Sequence, residues 1–155
     1  MPSGGFSTHD SSIAYYDSYI VETIIIFFMF FAGVNFTLIW LAWERQWDKI
    51  FSDQEGRSYV AVILVTTTFV FFALISQGSS IDEGIFDSLF TVISIGTSTG
   101  YTNSDYMLWP VVTHILLFLL MIVGACAGST SGGLKLMRVT SVSYTHLTLP
   151  TNDQV

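Results

Sequence analysis

A chain of 155 residues that is 51% hydrophobic, only 11% charged and carries a net charge of −7 is too apolar for a soluble domain of that length and belongs in a membrane. Five Lys and Arg against twelve acids leave no basic patch for nucleic acid, and the single cysteine, Cys126, excludes both a disulfide framework and a Cys-based metal site. Residues 1–8 are polar and Gly-rich and lack the basic and apolar regions of a cleavable signal.

The uncharged run 23–43 is long enough, at about 1.5 Å per residue, to cross a hydrocarbon core about 30 Å thick as one helix. Trp40, Trp43 and Trp47 cluster at one end and Tyr15, Tyr16 and Tyr19 at the other, as interfacial anchors do. Asn35, in mid-span, reads as the source of a helix-to-helix hydrogen bond. A charged loop is expected over 44–57, then a second span over 59–76 whose hydroxyls at Thr66, Thr67 and Thr68 can bond back to helix carbonyls. Residues 77–84 form a polar, acidic turn. The stretch 85–95 is too short to cross as a helix but can dip in and return, so it reads as a re-entrant pore helix.

After it comes I-G-T-S-T-G-Y-T-N-S-D-Y over 95–106, small, hydroxyl-rich and flexible between two apolar segments. Ion filters replace a cation's hydration shell with backbone carbonyls of such Gly-containing loops. A plain polar turn between helices is the alternative. From 107 to 128 the chain is apolar again, with Trp109 as an anchor and Pro110 as a first-turn proline. If 85–95 dips and returns, Arg45, Lys49, Arg57, Lys135 and Arg138 all fall on one side. The positive-inside rule then makes that side cytoplasmic and the filter-like loop external. Asp10, Asp82, Glu83, Asp87 and Asp105 either concentrate cations at the outer mouth or are ordinary solvated loop acids.

G-G-F-S-T-H-D over 4–10 lines up with T-G-Y-T-N-S-D over 99–105, Gly5 with Gly100 and Asp10 with Asp105, and each copy is followed by an apolar span. That is the pattern of an internal repeat of span, pore helix, filter loop and span. Residues 124–135, G-A-C-A-G-S-T-S-G-G-L-K, then interrupt the last span, since each helix-interior Gly costs about 1 kcal/mol. A phosphate-binding loop does not fit: Leu134 separates Gly133 from Lys135, no Ser or Thr follows the Lys, and a helix rather than a strand precedes it. A small-residue face for close helix packing remains open.

These motifs, G-G-F-S-T-H-D-S-S-I-A-Y-Y-D-S, T-S-T-G-Y and G-A-C-A-G-S-T-S-G-G-L-K-L-M-R, resemble the Trk/Ktr/HKT superfamily of potassium transporters, most nearly its bacterial TrkH/TrkG uptake subunits. The resemblance implies an all-α integral membrane fold of four span, pore-helix, span units around one pore, with this chain a fragment. Residues 1–58 would hold the filter loop and second span of the second unit plus a cytoplasmic loop. Residues 59–140 would hold most of the third, with span 59–76, pore helix 85–95, filter 96–102 and broken span 107–139. It implies a potassium filter at Ser98, Thr99 and Gly100 and at Ser3, Gly4 and Gly5. It further implies an intramembrane gate at Gly124, Gly128, Ser129, Thr130, Ser131, Gly132, Gly133 and Lys135, with Lys135 near the ion path or snorkelling to the cytoplasmic interface. Potassium is the implied transported ligand, with no other cofactor. Membrane lipid, a homodimer mate and a cytosolic nucleotide-binding regulatory subunit of the TrkA kind are the implied partners, in a bacterial inner membrane.

No enzymatic role is expected. A hydrolase using Ser129 or Ser131 with His114 fails because the pair would lie more than about 20 Å apart on one helix. His114 reads as a hydrogen-bonded helix histidine, and His9 has no ligand partner at metal spacing. A structural membrane subunit without a pore is the remaining alternative. Residues 141–155 look like a non-native tail, so His146 is not a site.

Overall fold

A computed structural model describes residues 4–16, 18–138 and 141–142, so the readings of Ser3 and of His146 lie outside the described residues. Every regular element among them is helical: a 3-10 turn at Ser12–Tyr16, then α1 (Tyr19–Gly33), α2 (Phe36–Trp43), α3 (Trp47–Ser52), α4 (Gln54–Ser76), α5 (Ile81–Gly96), a 3-10 turn at Tyr106–Leu108 and α6 (Val111–Val123). The helix α4 is long and apolar enough to cross a membrane by itself. Its buried residues Tyr59, Ile63, Thr66, Val70 and Leu74 recur every three or four positions and form one stripe facing the protein. Leu64, Val65, Phe69 and Phe72 stay exposed on the other side, a surface suited to lipid rather than water.

The expectation of one continuous span over 23–43 is wrong. Helix α1 ends at Gly33, α2 begins at Phe36, and their axes meet at 103°. Asn35 makes the break: its Oδ1 accepts from the Thr37 amide at 2.9 Å and so caps α2. Its Nδ2 also donates to Glu55 of α4 at 3.2 Å, so the expected helix-to-helix bond exists alongside the cap. Gly33 lets the bend close, since a Cβ there would meet the Tyr59 hydroxyl and, at 2.7 Å, Thr97 Cγ2.

Boundaries move for related reasons. The charged stretch 44–57 is not all loop: it contains α3 and the first turn of α4, whose N-cap Asp53 accepts from the Gly56 amide at 2.7 Å. The helix expected over 85–95 begins at Ile81 instead, because Asp82 and Glu83 sit in its first turn, where acids complement the helix dipole. It also runs on through Gly96, so the loop starts at Thr97. Helix α6 is shorter than the apolar run 107–128, since Pro110 precedes it and Gly124 ends it.

Helix α5 is the centre of the molecule and packs on α1, α4 and α6. Its sixteen residues span about 24 Å at 1.5 Å per residue, short of a hydrocarbon core about 30 Å thick. Phe90 and Val92 are fully buried, and so are Ser88 and Ser94. Their hydroxyls donate to backbone carbonyls, Ser88 to Ile85 at 3.1 Å and Ser94 to Tyr101 at 2.7 Å, as buried polar groups must.

Gly33→Ala in the full-length protein should lower stability by about 1–3 kcal/mol through overpacking, read as a lower melting temperature in detergent. Adding Tyr59→Phe, which removes the opposing hydroxyl, should recover part of that loss, a coupling that a double-mutant cycle measures.

Candidate functional site

The loop after α5 is wound back onto that helix's own C-terminus. Thr99 N–H and Gly100 N–H both donate to Ser94 O, at 2.8 and 3.3 Å, and Ser98 N–H donates to Ile95 O at 3.0 Å. The Thr97 hydroxyl donates to Ile93 O at 2.8 Å and lies 2.8 Å from the Thr99 hydroxyl. Thr97 and Thr99 are 1% and 2% exposed. A polar turn at a water interface would show its hydroxyls to solvent; this loop hides them in the protein.

The chain start lies directly against it. Gly4 N–H and Gly5 N–H donate to Thr99 O at 3.2 and 2.6 Å, Ile13 N–H donates to Thr102 O at 3.0 Å, and Thr102 N–H donates to Ser12 Oγ at 3.3 Å. The aligned glycines adopt the same left-handed backbone, φ +65° at Gly5 and +80° at Gly100, which side chains disfavour. A Cβ on Gly5 would also lie 2.5 Å from Gly100 O. Four of the expected filter residues, Gly4, Gly5, Thr99 and Gly100, are thus brought together. The Thr99 carbonyl is turned to Gly4 and Gly5, and both its lone pairs are engaged by their amides. At the loop's far end, Asn103 Nδ2 donates to Asp87 Oδ1 at 2.8 Å and ties the loop to the N-terminal half of α5.

The Gly-rich stretch is irregular throughout and lies beneath that loop. Gly124, at φ +70°, turns the chain out of α6, and a Cβ there would collide with Gly132 O. Leu134 N–H returns to Ile122 O at 2.9 Å, and Ala125 N–H donates to Ser131 Oγ at 3.2 Å. The Ser129 hydroxyl donates to Cys126 O at 2.6 Å, and its oxygen lies 3.0 Å from Ser131 Oγ. Lys135 turns its ammonium onto the carbonyls of Ser129 and Ser131, so in this conformation it closes the loop on itself. The decisive link upward is Gly132 N–H, which donates to Ser98 Oγ at 3.1 Å. The loop touches the filter-like segment.

Sideways, the same stretch fills the break between α1 and α2. Cys126 N–H donates to Gly33 O at 3.2 Å, Thr130 gives both its amide and its hydroxyl to Ala32 O at 3.3 and 3.1 Å, and Gly128 O accepts from Phe36 N–H at 3.1 Å. Glu55, a residue that no sequence motif singled out, accepts from Ala127 N–H at 2.5 Å. His114 bonds to Pro110 O, at the N-cap of its own helix, at 3.2 Å, while Ser129 and Ser131 bond to each other and to the loop around them. Among the described residues no group of three or more His, Cys, Asp or Glu gathers as a metal site.

The family model for TrkH, a cation transport protein, matches residues 1–148. The chain belongs to the TrkH family. It is 38% identical over 139 residues to the Trk system potassium uptake protein TrkH of Halomonas elongata, covering 88% of this chain and 29% of that one. To the TrkG protein of Escherichia coli it is 35% identical over 137 residues, covering 87% of this chain and 28% of the relative. It also superposes on the crystal structure of the potassium transporter TrkH from Vibrio parahaemolyticus with a TM-score of 0.86 at 31% identity, covering 94% of this chain and 32% of that one. The chain therefore spans about three-tenths of the length of the TrkH relatives it matches. These relatives are named as transporters, and the all-helical fold expected from the sequence is the TrkH fold.

Chemically, the arrangement offers neutral oxygen atoms of backbone and hydroxyls, with no charged group within the loop 97–102, and an irregular stretch rich in small residues hydrogen-bonded to it. Ser98→Ala removes the only acceptor described for the Gly132 amide. Amide exchange in a peptide covering 124–135 of the full-length protein should then quicken by about tenfold, the equivalent of one hydrogen bond of about 1.4 kcal/mol, while exchange in α6 stays unchanged.

Proposed function

We propose that this chain is part of a potassium-translocating pore. In this reading Ser98, Thr99 and Gly100, together with Ser3, Gly4 and Gly5, belong to a carbonyl filter, and 124–135 is an intramembrane gate. The single observation that carries it is the hydrogen bond from Gly132 to Ser98, which sets a glycine-rich, non-helical strand directly against the candidate filter. The matching left-handed glycines of the two copies support equivalent filter roles. Since both lone pairs of the Thr99 carbonyl accept amides here, coordinating an ion through that oxygen requires the two copies to separate slightly, as completion of a four-part ring by the rest of the protein would allow.

The orientation follows from the positive-inside rule, with the loops of Arg45, Lys49 and Arg57 and the segment of Lys135 and Arg138 on the cytoplasmic side of a bacterial inner membrane and the filter mouth outside. The homodimer and the TrkA-type nucleotide-binding subunit belong to the same proposal, as properties of the whole protein. The relatives' names, potassium uptake proteins, support potassium as the ion.

Gly100→Ser in the full-length protein adds a side chain at φ +80° whose Cβ lies 3.2 Å from Gly5 Cα. Strain of about 1–2 kcal/mol at a left-handed residue should reduce the K⁺ over Na⁺ permeability ratio by about tenfold. An unchanged ratio would refute the filter assignment, and failure of the intact gene to rescue growth at low potassium would favour a structural subunit without a pore. Deleting residues 128–133 should raise ion leak through the closed protein; normal closed-state flux in that deletion would refute the gate.

A further inference from the structure

We propose that Glu55 is the latch that holds the Gly-rich loop in place beneath the filter, a positioning role for a residue 72 positions away in sequence. The inference rests on the gate reading above. One carboxylate serves two irregular segments at once: Oε1 accepts from Ala127 N–H at 2.5 Å, and Oε2 accepts from Asn35 Nδ2 at 3.2 Å. Asn35 is held in turn, its Oδ1 accepting from Thr37 N–H at 2.9 Å. Gly128 sits so close to that amide that a Cβ on it would collide with Oδ1, while Gly128 O accepts from Phe36 N–H. Glu55, Asn35 and residues 127–128 therefore form one closed circuit joining α4, the helix break and the loop.

A glutamate in the first turn of a helix is ordinarily a partner of the helix dipole and nothing more. Here the dipole accounts for the charge but not for the two bonds. Both carboxylate oxygens are taken by donors from other segments, and a charge-assisted bond to a backbone amide is roughly twice as strong as a neutral one. The dipole instead makes release feasible, since the carboxylate remains stabilised by the start of α4 when the loop leaves. Glu55 also borders a cavity of about 440 Å³, together with Asp53, Asn35, Ala127 and Leu136, which has room for water to take over the vacated bonds. The latch sits in the first turn of α4, directly after α3 and the Asp53 cap.

The chemistry predicts a graded series. Gln keeps one acceptor oxygen and can hold Ala127 or Asn35 but not both; Ala holds neither. In full-length protein reconstituted into liposomes, closed-state K⁺ flux should rise about threefold in Glu55→Gln and about tenfold in Glu55→Ala, with the K⁺ over Na⁺ ratio unchanged. Cys126, fully buried beside Ala127, reports loop position separately. With Cys126 as the sole thiol, its modification by a small maleimide should quicken in the same order. If both substitutions leave flux and labelling at the wild-type level while deletion of 128–133 leaks, the latch is refuted and the gate stands. If the deletion also leaves flux normal, the gate reading has failed, and labelling of Cys126 alone decides whether Glu55 positions the loop. Should the alanine variant not fold, the near-isosteric glutamine variant carries both measurements.

Discussion

Two irregular stretches of backbone satisfy each other, and everything around the candidate pore depends on that. A helix broken inside a hydrocarbon layer strands carbonyls and amides that cost several kcal/mol each if nothing replaces their intrahelical partners. The break between α1 and α2 leaves Ala32 O, Gly33 O and Phe36 N–H without them, and the segment after α6 supplies Thr130, Cys126 and Gly128 in their place. Neither stretch would be tolerable alone in a hydrocarbon layer. The loop cannot leave its position dry, because the carbonyls it abandons need new donors, and only water or another segment can provide them.

Around this joint the packing is unusual for its polarity. Lipid tails are as apolar as a leucine side chain, so helices in a membrane gain little by hiding apolar surface from them and must be held by close contact and hydrogen bonds. That explains why α5, the most enclosed helix, buries Ser88, Thr91 and Ser94 beside Phe90 and Val92. It also explains why the bend in α1 and α2 is closed by a glycine pressed on Tyr59, whose hydroxyl donates to Phe30 O at 3.2 Å.

Much of this was legible from residue order. Hydropathy located α4, the helix long and apolar enough to cross a membrane, the apolar run at 85–95 marked the core of α5, and the Gly content of 124–135 marked where α6 stops. Gly5 and Gly100, aligned in the sequence, both adopt a left-handed backbone. What hydropathy could not see was the break at Val34 and Asn35, because a single amide in an apolar run looks the same whether it caps a new helix or bonds across an intact one. Helix starts at 54 and 81 were likewise hidden: acids in a first turn favour a helix but read as loop when only apolarity is scored. The bonds from Glu55 to Ala127 and from Ser98 to Gly132 obey no spacing rule at all, since they exist only after the chain has folded back on itself.

The hydroxyl of Ser98 belongs to two structures at once. It sits in the candidate filter, at φ +56°, and it is also the anchor for the Gly132 amide below. A group shared in this way makes the two segments thermodynamically reciprocal. Whatever free energy an occupant of the upper loop adds to or takes from that oxygen is returned, with the same magnitude, in the equilibrium of the strand beneath it. On the proposed filter and gate reading, occupancy above and obstruction below are a single linked equilibrium, with one serine side chain as the term they have in common.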